Sequence, residues 1–492
     1  MKNSIRLLLL ILIPALSVSC FEDRDDNVIF ASEINDFVWK GMNAWYLYKD
    51  NIPDLANNRF TSDEEYANYL NNFSSPEELF ESLIYNRETI DEFSWITSDY
   101  IANEQLLNGE GFNNGMAYGL FRFSSQDTEL YGYVRYVIPG LDADNKGIER
   151  GDIFYGVNGT QLTIENYLSL LSPNNYAINL GTYNDNGTPT DYTDDSITET
   201  TENVSLTGVE HTENPILINS VLNINGNNVG YIMYNGFNGN STELNNVFGT
   251  FKSAGITDLI LDLRYNPGGF TSKAVLMASL ITGQFTGEVM NIDQFNSDRQ
   301  ADFENLDPES LNDRFINSEN GIALNSLNLN TVYILATGSS ASASEFVINS
   351  LNPFIEVIQI GTNTRGKYQG SFTLYDSPDF TRDNVNPNHT YALQPLTFKY
   401  SNIQGNTDFV DGLSPDIELR ERYNNLGILG DETEPLLAEA IAAIISSGRS
   451  INEKDNDSYI LNEFINDNNP KFRMISDKEV PPGMVKRLIF NE

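Results

Sequence analysis

The chain has 492 residues, 40% of them hydrophobic and 11% aromatic. That is enough apolar material for real cores and too much chain for one ordinary domain, so two to four domains are expected. With 29 basic and 69 acidic residues the formal charge is −40, which argues against nucleic acid or an anionic lipid surface as an electrostatic partner. Cys20 is the sole cysteine, which excludes an intrachain disulfide.

Residues 1–19 read as a signal peptide: Lys2 and Arg6 precede the apolar run Leu7–Val18, which is shorter than the ~20 residues a membrane span needs. Cys20 follows Leu16-Ser17-Val18-Ser19, a string that resembles a bacterial lipobox with Ser17 in place of the commoner leucine. The resemblance implies that Cys20 is lipidated and anchors the chain to a membrane, in the cell envelope of a diderm bacterium, on the periplasmic side or the surface. Residues 20–27 then form an acidic tether.

Residues 28–105 carry Ile34, Phe37, Val38, Met42, Trp45 and Tyr46 at helical spacing. Ser62 and Ser75 each precede acidic residues, the pattern of a helix start. A small helical amino-terminal domain is expected, with its tryptophans in the core. From Gly109 the period changes to strands and glycine turns, and residues 106–206 read as a β-rich module. Gly147-Ile148, Gly151-Asp152-Ile153 and Val157-Asn158-Gly159 resemble a bacterial PDZ domain. Such a domain adds a peptide to a sheet edge and holds its terminal carboxylate on backbone N–H groups. By position, Tyr118-Gly119-Leu120 would be the carboxylate-binding loop, leading into a strand. The acidic stretch Asn184–Asp195 lacks the acid an EF-hand needs at position 182 and reads as a hairpin tip. No metal and no cofactor is expected.

Residues 207–450 alternate apolar strands (Val229–Tyr234, Leu259–Leu263, Val332–Ala336, Val357–Ile360) with helical segments (Thr242–Ser253, Ser272–Thr282, Ser342–Leu351), the signature of an α/β core. Tyr391–Tyr400 and Ile417–Leu419 read as later strands and Glu434–Ser447 as a closing helix. Residues 451–492 read as a polar, irregular tail.

Two strings in this core carry chemistry. One is Ser340-Ala341-Ser342-Ala343-Ser344-Glu345 at the start of a helix, with Lys367 returning after the next strand. A lone hydroxyl at a helix start is ordinarily a cap. A row of them with a lysine nearby suits a serine nucleophile and a lysine base, a variant of the triad logic. Free lysine titrates near ~10.4 and must be desolvated to act as a base at ordinary pH. The other string is Leu261-Asp262-Leu263-Arg264-Tyr265-Asn266-Pro267-Gly268-Gly269, a strand breaking into a turn with a bare backbone. His211 and His389, the only histidines, lie among loop-like residues and are read as structural or exposed. Lys252 and Lys273 are weaker candidates for a base.

Both strings resemble the carboxy-terminal processing proteases, S41-type Ser–Lys peptidases, from about Ala117 to Ile417. The resemblance implies a crotonase/ClpP-like α/β protease core carrying an inserted PDZ domain and an amino-terminal helical domain. It implies Ser342 as nucleophile, Lys367 as base, and Gly268 or Gly269 with Ala343 as oxyanion donors. It also implies protein or peptide substrates cleaved near their carboxy-terminal ends. Asp411-Gly412-Leu413-Ser414-Pro415-Asp416-Ile417 matches a further family string and reads as a structural turn. The glutamine that many members place four residues after the lysine is Ser371 here, with Gln369 two residues on. Two rival readings are a non-catalytic peptide-binding lipoprotein on a protease-like core and an acyl-thioester enzyme on the related crotonase fold. The serine–lysine pair disfavours the first, and the PDZ-like insert with the secretion signal disfavours the second. Oligomeric state is left open.

Overall fold

The structure is a computed structural model describing residues 32–188, 192–446 and 462–463. The expected signal peptide, Cys20, the expected acidic tether and nearly all of the expected tail lie outside the described residues. Among the described residues no helix is long and apolar enough to cross a membrane.

The centre is a six-stranded sheet. Its strands are β1 (Ile216–Ile224), β2 (Asn227–Tyr234), β3 (Asp258–Asp262), β4 (Thr331–Ala336), β5 (Glu356–Gly361) and β6 (Ile417–Glu418), adjacent in that order. β1 and β2 form an antiparallel hairpin through Asn225-Gly226, both at positive φ as a two-residue turn demands. Every later pairing is parallel. The helices are α1 (Ser241–Ala254), α2 (Thr271–Ile281), α3 (Ala343–Leu351) and α4 (Pro435–Ile445). Both faces of the sheet are covered, which is why these strands are apolar at successive positions instead of alternating. On β3, Leu259 and Leu261 join the core that holds α1, α2 and α3, while Ile260 joins the core that holds α4.

A second, four-stranded sheet packs beside α3, built from Val289–Phe295, Asn312–Arg314, Leu396–Asn402 and Gln369–Ser371. The single strand expected over Tyr391–Tyr400 is two strands in two sheets, Ala392–Gln394 and Leu396–Asn402, separated by Pro395, which has no N–H to donate to a ladder.

The amino-terminal segment is helical as the pattern predicts, with Glu33–Trp45, Asp63–Leu70 and Pro76–Ser82 capped by Ser32, Ser62 and Ser75. It has no separate core. Phe37, Val38, Met42, Trp45 and Phe80 belong to the same cluster as Phe346, Val347 and Phe398. Its last residues, Trp95–Thr97, pair with Ala392–Gln394.

The β-rich module does have its own core. Its strands Met116–Arg122, Tyr131–Val137, Ile153–Val157, Asn175–Asn184 and Ser196–Thr207 form one antiparallel sheet. Asn184 pairs with Ser196, so the acidic stretch is a hairpin tip. The backbone of Asn462–Glu463 adds to the edge at Arg122 and Phe121. The module is tied to the core by a buried ionic network. Arg264 contacts Asp262, Glu434 and Glu421 at 2.8, 2.6 and 3.2 Å, and Arg150 reaches Glu421 at 2.7 Å. Burial pushes the Glu421 carboxyl up, but Arg150 and Arg264 more than offset this and hold it at about 2.

Candidate active site

The loop Thr337–Ser342 leaves the carboxyl end of β4, where ligands bind in open α/β sheets. Three of its hydroxyl groups or near neighbours pin the backbone. Ser340 Oγ donates to Leu263 O at 2.7 Å, Ser344 Oγ donates to Asn266 O at 2.9 Å, and Ser339 Oγ accepts from Arg135 Nη2 at 2.8 Å. Ser342 is different. It is fully buried and sits at φ +64°, ψ −105°, outside the regions an L residue ordinarily occupies. Such a conformation costs on the order of 1–3 kcal/mol and persists only where its surroundings over-determine it.

Those surroundings centre on Glu345, one turn into α3. Its Oε2 accepts from Ser342 N at 2.6 Å and from Lys367 N at 2.9 Å. Its Oε1 accepts from Thr364 Oγ1 at 2.5 Å and from Gly366 N at 2.7 Å. The two main-chain nitrogens on Oε2 are therefore separated by no more than the sum of their distances to it. Burial pushes the Glu345 carboxyl up, against the pull of the four donors. On the carbonyl side, the Tyr400 hydroxyl lies 2.8 Å from Ser342 O and 2.9 Å from Lys367 O. Ser342 and Lys367 are thus joined twice through their backbones, once at N–H and once at C=O.

Lys367 is only 1% exposed. Gly366 before it is at φ +90°, and a Cβ there would stand 2.2 Å from Val410 O. The strand-flanking turn at Gly412 packs on the same loop, with Leu413 N donating to Thr364 Oγ1 at 2.7 Å, so that family string is a brace for the lysine loop. Ser371, at the position where a glutamine was expected to orient the lysine, accepts from Gln394 Nε2 at 3.1 Å. Gln369 donates to Tyr48 OH at 2.9 Å.

The Pro-Gly-Gly turn after β3 faces this pair. A Cβ on Gly268 (φ +112°) would lie 3.0 Å from Ser342 Cβ and 3.2 Å from Ala343 N. Only glycine allows that approach. The Gly268 N–H donates to Asn266 Oδ1 at 2.9 Å. Among the described residues the N–H groups of Gly269 and Ala343 have no acceptor, so of the two glycines it is Gly269 whose donor is open.

Tyr118, Gly119 and Leu120 are not in a loop. They lie within the strand Met116–Arg122, opposite Val134, Tyr133 and Gly132. Leu120 is in the module's core and a Cβ on Gly119 would run into the Tyr133 ring. The strand begins earlier than the glycine suggested, because Gly119 serves the packing of Tyr133. Only Tyr118 of the three lines the cavity of about 370 Å³ between the module and the turn, along with Arg135, Tyr176, His211, Gly268 and Gly269. His389 pairs with Asp376 at 2.9 Å, away from these residues. Lys273 contacts Ser241 and Glu319. Among the described residues no group of His, Cys, Asp and Glu side chains could hold a metal.

Three contributors were not singled out from the sequence. Glu345 had a signal, since Ser342-x-x-Glu345 has capping-box spacing. Tyr400 had none beyond its place in an apolar strand. Phe93 had none; its ring centroid is 4.9 Å from Lys367 Nζ.

Residues 228–419 match the family model described as Peptidase family S41, and residues 33–95 match the one described as Peptidase S41 N-terminal domain, together just over half of the 492 residues. A Staphylococcus epidermidis protein named as a CtpA-like serine protease is 25% identical over 277 residues, a match that covers 53% of this chain and only 50% of that protein. The crystal structure of a Bacteroides fragilis protein described as an S41 protease superposes with a TM-score of 0.62 at 22% identity, covering 84% of this chain and 98% of that one. That likeness is one of fold.

Proposed function

Because the chain belongs to peptidase family S41, we propose that it is a serine endopeptidase cleaving proteins outside the cytoplasm, near their carboxy-terminal ends, with Ser342 as nucleophile and Lys367 as general base. The observation that carries this reading is the shared Glu345 oxygen, which brings the backbones of a strained, helix-start serine and a buried lysine together across from a bare glycine turn. The neutral Lys367 amine takes the proton from Ser342 Oγ, and the oxygen attacks the scissile carbonyl carbon. Negative charge develops on the carbonyl oxygen, where the N–H groups of Gly269 and Ala343 receive it. The lysine returns the proton to the leaving amine, and water then hydrolyses the acyl-serine by the same route.

The β-rich module acts as a PDZ domain that adds the substrate to the edge at residues 116–120, short of the two positions paired with Asn462–Glu463, and the cavity leads from there to the Gly268-Gly269 turn. A lipid on Cys20 holds the enzyme to a membrane of the cell envelope. Two experiments test the reading. A serine-reactive probe should label the wild-type chain, and labelling and peptide hydrolysis should be lost in Ser342→Ala. Lys367→Arg keeps the charge but arginine stays protonated and cannot be a base, so it should be equally inactive. A folded Lys367→Arg enzyme with near wild-type turnover refutes the lysine as base. Cys20→Ala should release the protein from membranes, and a variant that stays bound refutes the lipid anchor.

A further inference from the structure

The amino-terminal segment contributes one side chain to the active site, and its surroundings are built to hold that side chain still. The buried Asp91 carboxylate organises the loop 91–94. Its Oδ1 accepts from Ser94 N at 2.8 Å and Phe93 N at 3.2 Å, and its Oδ2 accepts from Ser94 Oγ at 2.6 Å and Tyr46 OH at 2.7 Å. Ser94 Oγ in turn accepts from Leu396 N at 2.8 Å, fixing the loop to the second sheet. Next door, Arg365 Nη2 donates to Glu92 Oε2 at 2.6 Å. Between these anchors stands Phe93, with Lys367 Nζ 4.9 Å and the Arg365 guanidinium 5.1 Å from its ring centroid. A half-buried phenyl ring on a loop with this many buried hydrogen bonds needs a reason to be there.

We propose that Phe93 is a positioning residue for the reaction: its ring is the wall that keeps water from the Lys367 amine, so the amino-terminal segment completes the active site and favours the neutral form of the base. Two effects of the ring oppose each other. Its negative face attracts an ammonium. Its bulk removes water from the amine, which penalises the charged form. Arg365 decides between them. It occupies the same ring, so the attraction of the face is shared with a permanent cation. Among the described residues the titratable groups packed around the lysine loop include Asp91 and Glu92 on the amino-terminal loop, Glu345 on α3, Tyr400 on the second sheet, Tyr48 and Tyr368 beside Gln369, and Asp408 near Tyr368. Glu92 is paired with Arg365, and Glu345 accepts from four donors.

The inference rests on Lys367 being the base, and its test has a readout that needs no turnover. In a Ser342→Ala background, competitive acetylation of Lys367 across a pH series, read by mass spectrometry, gives the midpoint of the amine directly. Phe93→Leu keeps an apolar wall and should keep the midpoint. Phe93→Ala opens the site to water and should raise the midpoint by about one pH unit, a tenfold loss of neutral amine at a fixed lower pH. In the active enzyme the same substitution should lower kcat/KM about tenfold on the acid limb and leave the alkaline plateau unchanged, whereas Phe93→Leu should follow wild type. An unchanged midpoint in Phe93→Ala, a midpoint that falls, or an equal rise in Phe93→Leu overturns the proposal, as does a loss of activity that is the same at every pH. If the midpoint rises while Lys367→Arg remains active, the wall stands and the assignment of the base falls.

Discussion

Replacing Glu345 with glutamine exchanges one carboxylate oxygen for an NH2 group and changes almost nothing in volume. Each oxygen takes two buried donors, Thr364 Oγ1 and Gly366 N on one, Ser342 N and Lys367 N on the other. Whichever way the amide turns, two of the four lose their acceptor and face a donor instead. A buried unsatisfied group costs about 1–3 kcal/mol, so two cost about 2–6 kcal/mol. Relief from burying a charge offsets part of this, and about 3 kcal/mol of destabilisation is expected. The functional loss should be larger than that figure suggests, because the broken bonds are those that fix the helix carrying the serine against the loop carrying the lysine. A misplacement of about 1 Å in a reacting group costs on the order of a hundredfold. The assay pairs urea denaturation with steady-state hydrolysis of a fluorogenic peptide. The urea midpoint should fall at an unchanged m-value and kcat should drop at least a hundredfold. A Glu345→Gln protein with a wild-type midpoint and wild-type kcat refutes the idea that this carboxylate joins the two residues.

Tyr400→Phe removes the hydroxyl shared by the Ser342 and Lys367 carbonyls and should cost about 1–2 kcal/mol in urea denaturation, with roughly tenfold lower kcat; no change in either removes Tyr400 from the clamp. Gly269→Ala puts a Cβ 2.6 Å from Phe237 O at φ +138°, and should abolish hydrolysis and lower the melting temperature, so an active variant shows the turn does not bear on the reaction. Stability should fall in acid. Glu421 is held at about 2, below the ~4.3 of a free glutamate, so its contribution is complete above ~4.3 and is lost as pH falls towards 2. That contribution amounts to about 3 kcal/mol, and in Glu421→Gln the drop in urea midpoint between pH 6 and pH 3 should be visibly smaller than in wild type.

The sequence made the core legible because its strands are buried on both faces and its helices lie between them at regular spacing. Ser342, Lys367 and the glycine turn stood out because their residue types are unusual for the places they occupy. What escaped notice has a common physical cause, dependence on contacts remote in the chain. Nothing local in Phe93 shows that it meets Lys367, and nothing local in Val289–Phe295 shows a strand, since its buried Asn291 and Asp293 break the apolar pattern. The sharing of one apolar cluster between the amino-terminal helices and the α/β core escaped because the helices' apolar faces were visible and the partner surface was not. Tyr118-Gly119-Leu120 reads as the carboxylate loop by position alone, and nothing local shows that Gly119 makes room for the Tyr133 ring across a strand.

The shared core sets the order of events during synthesis. Ser94, beside the residue that faces the lysine, is hydrogen-bonded to Leu396, 302 residues later in the chain. At elongation rates of ~5–20 residues per second, roughly 15 to 60 seconds separate the appearance of those two partners. Through that interval the amino-terminal helices lack part of the surface on which they bury their apolar faces, and contacts of such long range are slow to close. A growing chain would therefore present its first segment to chaperones long before Ser342 and Lys367 could meet. The same dependence would keep a partly made protease from cutting its neighbours on the way out.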